Sequence, residues 1–120
     1  MKHILYVEDD EDTFNAVQVL LETQGYKVSG ATNGKDALDM IEKGSHDLIL
    51  LDIMLPDMSG WDIFLKIHKD TPKQKVAFLS VMPVSEERKK VLIKSGAMDY
   101  IMKPFDKEDL VRRVNKILKS

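Results

Sequence analysis

Leu48-Ile49-Leu50-Leu51-Asp52-Ile53-Met54-Leu55-Pro56-Asp57-Met58-Ser59-Gly60 is the stretch whose reading decides the fold. Its apolar run is too short for a helix and has no polar face. It predicts a strand buried on both sides, as in a parallel sheet. Asp52 stands where that strand leaves the core, and Pro56 and Gly60 punctuate the loop beyond. Open α/β sheets place their chemistry at the carboxyl ends of their strands. A single Asp there also serves as an ordinary turn cap. Asp52 therefore gains meaning only from what the other strands bring to the same edge.

Working outward, strand and helix alternate. Residues 3–7, 26–31, 48–51, 75–79 and 97–102 read as strands. After the first comes an acidic run, Glu8 to Asp12, then Phe14, Val17, Leu20 and Leu21 at helical spacing, closed by Gly25. Asn33 with Asp36 forms a loose capping box before Ala37, Leu38 and Ile41, and Gly44 ends that helix. Ser59 and Asp62 can cap a helix carrying Trp61, Phe64, Leu65 and Ile67. A charged helix over 86–95 offers Val91 and Leu92 as its buried stripe and stops at Gly96. Pro83 fits a first helical position and predicts an early, stiff start to it. Asp106 caps a last helix with Leu110, Val111, Val114, Ile117 and Leu118 on one face. Five βα units without a linker imply one domain over 1–120, a parallel sheet with helices on both faces.

Composition removes several function classes. The 120 residues suffice for one core. A hydrophobic content of 43% against 32% charged excludes a disordered chain. A net charge of -2 argues against general nucleic-acid affinity. Without cysteine there are no disulfides and no thiolate metal sites. No apolar run approaches the roughly 20 residues of a membrane span. Met1-Lys2-His3 leads straight into a strand with no signal-peptide pattern, so a cytoplasmic protein is expected.

In a parallel sheet all the strand ends share one edge. Glu8 and Asp9 end the first strand, Asp52 the third, Ser80 the fourth and Lys103 the fifth. Three converging carboxylates repel one another unless a cation intervenes. Oxygen ligands without His or Cys select a hard ion, Mg²⁺ or Mn²⁺. A Lys and a hydroxyl beside them supply donors for an anion. Together they describe a phosphoryl-transfer site with an Asp nucleophile. An acidic first helical turn accounts for Glu11 and Asp12 by itself, but not for Ser80 and Lys103.

These residues carry a resemblance. Val7-Glu8-Asp9-Asp10, Asp52-Ile53-Met54-Leu55-Pro56 with Gly60, Ser80, Gly96-Ala97 with Tyr100, and Lys103-Pro104-Phe105 follow in the order and spacing of response-regulator receiver domains. The chain resembles that family over nearly its whole length. The resemblance implies a flavodoxin-like (βα)₅ fold with strand order 2-1-3-4-5, an order the chemotaxis receiver also has. It implies a phosphoacceptor, not an enzyme in its own right, that assists its own phosphotransfer and dephosphorylation. A histidine kinase or phosphotransfer protein would phosphorylate Asp52. Asp9 and Asp52, the Met54 carbonyl, and Glu8 through water would hold Mg²⁺. Lys103 would pair with the phosphoryl group, Ser80 would hydrogen-bond it, and Tyr100 would respond as Ser80 moves. The Lys103–Pro104 bond would be cis. An output protein or domain would read the face of helix four, strand five and helix five. There Lys89, Asp99, Asp109 and Arg113 partly resemble the charge set of receivers that dimerise on phosphorylation.

Three other function classes fit the residues less well. A haloacid-dehalogenase-type hydrolase needs Asp-x-Asp-x-Thr after strand one, whereas this chain has Asp9-Asp10-Glu11-Asp12-Thr13. A flavodoxin-like electron carrier needs a phosphate loop where five acidic residues stand. A pseudo-receiver lacks a pocket residue, and none is missing here. Three positions depart from the family pattern. Val81 replaces the usual Ala or Gly after Ser80, and Met82-Pro83 follows it. Val81 is either a gate beside Asp52 or a packing residue under helix four.

Overall fold

The structure, a computed structural model, describes residues 1–119. Five parallel strands, β1 (His3–Val7), β2 (Lys27–Ala31), β3 (Leu48–Leu51), β4 (Val76–Ser80) and β5 (Tyr100–Met102), stand in the order β2-β1-β3-β4-β5. Five helices alternate with them: α1 (Glu11–Glu22), α2 (Gly34–Lys43), α3 (Gly60–Asp70), α4 (Glu86–Lys94) and α5 (Lys107–Lys119). This is the expected flavodoxin-like fold, and the Lys103–Pro104 peptide is cis as expected.

Side chains on a strand alternate between faces. Ile4, Tyr6, Leu50, Leu79 and Ile101 pack with Val17 and Leu21 of α1 and with Leu110 and Val114 of α5. Leu5, Val7, Ile49, Phe78 and Tyr100 pack with Ala37 of α2, Ile63 and Phe64 of α3, and Leu92 of α4. The four residues of β3 are fully buried, which explains why its sequence carries no polar alternation.

Caps set the helix starts. Asn33, Ser59 and Ser85 accept backbone N–H bonds from the first turns of α2, α3 and α4. Asp106 does the same for α5 through Glu108 and Asp109. The early start read from Pro83 is therefore wrong. Ser85 offers its hydroxyl to Arg88 N–H, and Pro83 stays in the β4–α4 loop. Helix α1 ends at Glu22 with Thr23 as its cap, two residues before Gly25, whose φ of 88° makes the turn. The burial stripe of α4 is narrower than expected. Leu92 is buried, but Val91 is 55% exposed. Leu65 also faces solvent, and Ile63 takes its place in the core.

At the edge opposite Asp52, His3 and His46 lie with ring centroids 4.7 Å apart. The His3 ring is hydrogen-bonded with the Ser29 hydroxyl at 2.7 Å, and its backbone N–H donates to Asp47. Lys2 pairs with Asp47 at 4.0 Å. Burial, helped by His3 and opposed by Asp47, holds His46 below its ordinary pKa of 6.5. The fold thus favours neutral His46. Its contribution to stability is complete above about pH 6.5, its unfolded value, and is lost as pH falls below that through the lower folded-state value. Urea unfolding between about pH 7.5 and 5 should show a shallower loss of stability in His46→Gln than in the native chain. Equal slopes would assign the acid sensitivity to other groups.

Candidate functional site

The carboxyl edge of the sheet is extended by backbone bonds just past the strands. Glu8 N–H donates to Ala31 C=O at 3.0 Å, Asp52 N–H to Val7 C=O at 3.1 Å, and Lys103 N–H to Ser80 C=O at 2.8 Å. These bonds bring the ends of β1, β3, β4 and β5 to one level. Strand alternation then sorts the side chains. Glu8, Asp52 and Lys103 continue the face of Tyr6, Leu50 and Ile101, and Ser80 continues that of Phe78.

Glu8 and Asp52 are 1% and 4% exposed, whereas Asp9 is exposed. The three offer one oxygen each within 4.8 Å of one another. Lys103 Nζ lies between the two buried acids, donating to Glu8 Oε1 and, at 3.1 Å, to Asp52 Oδ2. Burial disfavours its charge, but the bonds to Glu8 and Asp52 outweigh burial and raise its pKa. Lys103 is a firmly held ammonium. Burial is also the largest influence on Glu8 and pushes its carboxyl up, against the bonds from Lys103 and Tyr6.

The loop after β3 is pinned from three sides. Met54 N–H donates to Asp52 Oδ1 at 3.0 Å, and Met54 and Ser59 form an antiparallel bridge. Asp57 accepts from Gly34 N–H and Lys35 N–H at 2.7 and 2.9 Å, tying the loop to the start of α2. Gly60 lies so close to Asp52 that a Cβ would overlap the Asp52 carbonyl. The Met54 side chain is 55% exposed, so it does not fill the core.

On the other face, Ser80 is fully buried and its Oγ accepts from Met82 N–H at 3.2 Å. Tyr100, 1% exposed rather than half-buried, donates its hydroxyl to the Met82 carbonyl. One loop residue therefore joins Ser80 to Tyr100. Val81 is 56% exposed and does not pack under α4. It lines a cavity of about 540 Å³ with Lys103, Pro104, Phe105, Ala16 and Leu20.

The residues read from sequence as Glu8, Asp9, Asp52, Met54, Ser80, Tyr100 and Lys103 are all brought to this edge. Three contributors escaped that reading. Tyr6 donates its hydroxyl to Glu8 Oε1 at 2.7 Å. Asp57 anchors the loop, and Met82 links Ser80 to Tyr100. Only Tyr6 left a signal, being two residues before Glu8 on the same strand face. The donor set of carboxylates without His or Cys fits a hard divalent ion.

A sequence model of the response regulator receiver domain matches residues 4–115. The chain belongs to that family. Among its relatives, the transcriptional regulatory protein PcoR of Escherichia coli is 39% identical over 119 residues, and the response regulator SaeR of Staphylococcus aureus is 34% identical over 119. The alignments take in 99% and 98% of this receiver domain but 52% and 51% of those proteins. The chain thus spans about half the length of the curated relatives it matches. Among solved structures, the receiver domain of Francisella response regulator 1452 superposes with a TM-score of 0.91 at 31% identity, covering 99% of this chain and 98% of that one. The Thermotoga maritima response regulator TrrA, in complex with Mg²⁺-BeF, gives 0.85 at 30% identity over 98% and 99%.

Removing the ammonium would leave two buried carboxylates without a cation. In EDTA, Lys103→Ala should lose on the order of 3 kcal/mol of stability. An unchanged urea midpoint would show that Lys103 does not hold the two acids together.

Proposed function

We propose that this receiver domain is a phosphorylation-dependent switch of a two-component system. The observation that carries the reading is the buried ammonium of Lys103 between Glu8 and Asp52. An ordinary core has no use for two carboxylates and a Lys at one strand edge, whereas phosphoryl transfer to a carboxylate uses all three. Asp52 is the acceptor. One of its carboxylate oxygens attacks the phosphorus of a phosphohistidine in line, the P–N bond breaks, and the donor imidazole leaves with the electron pair. Glu8, Asp9, Asp52 and the Met54 carbonyl would hold Mg²⁺ or Mn²⁺, with Glu8 acting through water. Such an ion supplies charge for the transferring oxygens. Lys103 turns from its carboxylates to the phosphoryl oxygens. The Ser80 hydroxyl rotates to donate to the same group.

Met82 gives that rotation a route outward. When Ser80 Oγ leaves Met82 N–H, the loop that also holds the Tyr100 hydroxyl is released. The phosphoryl charge thus biases two loop arrangements close in energy. A histidine kinase or phosphotransfer protein is the donor, and a cytoplasmic setting follows from that partner. The output protein or domain reads the face of α4, β5 and α5. On that face Arg113 already bonds Asp99 at 3.2 Å and Asp109 at 3.0 Å within the chain. With Lys89 alone outside this network, ordinary solvated charge accounts for the set better than a dimer interface. Partly exposed pairs near the surface contribute about 1 kcal/mol each.

Acetyl phosphate with Mg²⁺ should add one phosphoryl group to the chain and none to Asp52→Asn. Equal incorporation in intact-mass spectra would refute the acceptor assignment. The exposed Val81 beside Lys103 should hinder both the incoming donor and the hydrolytic water, because displacement needs close, linear approach. Val81→Ala should therefore speed phosphorylation and dephosphorylation several-fold, on the order of one kcal/mol of barrier, with an unaltered melting temperature. Unaltered rates would leave Val81 without a gating role.

A further inference from the structure

Glu8 is more tightly held than a water-mediated metal ligand requires, and its holder is Tyr6. Oε1 of Glu8 accepts from the Tyr6 hydroxyl at 2.7 Å and from Lys103 Nζ. Oε2 accepts from Asp10 N–H at 3.3 Å, a long bond. Lys103 is shared with Asp52 and belongs to neither acid alone. Tyr6 has no such freedom. Its ring is fully buried in β1 and stacks on Phe14 of α1, with centroids 5.5 Å apart and planes at 12°. Phe14 in turn lies over Gly30 of β2, where a Cβ would overlap its ring. Three elements therefore fix where the Tyr6 hydroxyl points. A Phe at this position would fill nearly the same core volume and keep the stacking on Phe14, so packing by itself does not call for the oxygen.

We propose that the Tyr6 hydroxyl is a positioning group that keeps Glu8 in the acidic triad with Asp9 and Asp52 when Lys103 turns away to a phosphoryl group. This rests on the phosphorylation reading above. In the resting state Lys103 and Tyr6 both hold Oε1. Once Lys103 has moved, Tyr6 is the one short donor left, and the 3.3 Å bond from Asp10 does not fix the carboxylate by itself. Without the hydroxyl, Glu8 is free to follow the Lys103 ammonium or to rotate, and the triad loses a member. Partners of this outer kind orient a metal's ligands, and losing one costs on the order of 10-fold in metal affinity.

Calorimetric titration of the full chain with Mg²⁺ in excess beryllofluoride, an analogue of the phosphoryl group that draws Lys103 away from Glu8, tests this. Tyr6→Phe keeps the ring and removes the donor. It should weaken Mg²⁺ binding about 10-fold. In a Glu8→Gln background the same change should have little further effect, because both act through one carboxylate. Melting in EDTA separates this from stability, since a purely structural Tyr6 lowers the melting temperature and leaves the affinity alone. Equal affinities in native chain and Tyr6→Phe overturn the proposal, as does an undiminished effect in the Glu8→Gln background. A native chain that binds no Mg²⁺ overturns the metal reading itself and this proposal with it. Should Tyr6→Phe not fold, the native chain labelled with 3-fluorotyrosine answers the same question. The Tyr6 fluorine resonance should shift on Mg²⁺ addition, and an unmoved resonance overturns the proposal.

Discussion

The rest of the site depends on one ammonium placed between two buried carboxylates. Neighbouring strands lie about 4.8 Å apart, and β5 is three spacings from β1, about 14 Å. No short side chain crosses that gap. Lys103 spans most of it, and Glu8 reaches in from the far side. Asp52, on the intervening β3, needs only a short carboxylate. The residue types follow from the sheet order: long at the two outer positions, short in the middle. Burial then makes the arrangement electrostatic in a strong sense. Glu8 and Asp52 have little water to screen them, so the position of one charge decides the state of both.

Strand alternation divides the labour between the two faces. The acids and Lys103 continue the face that packs on α1 and α5, where Tyr6 and Phe14 support Glu8. Ser80 and Tyr100 belong to the face that packs on α2, α3 and α4, and Met82 joins them. In the proposed switch, chemistry and transmission therefore act on opposite faces of one sheet. They meet only at its edge, within reach of Asp52. The loop after β3 is held by Asp57 on α2 and by the tight approach of Gly60, which suits a position that must stay still. The loop after β4 is held by two hydrogen bonds through a single residue, which suits one that moves.

The architecture was legible because its signals are local and repeated. The unbroken run 48–51, the Gly and Asn punctuation, and the caps Asn33, Ser59 and Asp106 report on backbone conformation within a few residues. Parallel alternation then forces the strand ends onto one edge, so the sequence alone groups Glu8, Asp9, Asp52, Ser80 and Lys103. Helix boundaries were less legible where two caps competed. Pro83 suits a first turn, but Ser85 makes the hydrogen bond that starts α4. Exposure failed for Val91 and Leu65, because spacing shows which residues share a stripe and not how wide the buried stripe is.

The sequence by itself determined the fold class, the edge where the polar strand ends meet and the residues gathered there, since each follows from period, punctuation and residue type. The tertiary structure alone decided how those residues hold one another. That Lys103 binds Glu8 as well as Asp52, that Met82 links Ser80 to Tyr100, and that Asp57 ties a loop to α2 are contacts between groups on different elements, and that Tyr6 shares Glu8 depends on how its ring is packed. Apart from Tyr6 two residues before Glu8, they leave no mark in local sequence. They exist because twist and packing bring particular atoms within hydrogen-bond reach, and a shift of about an ångström would abolish them.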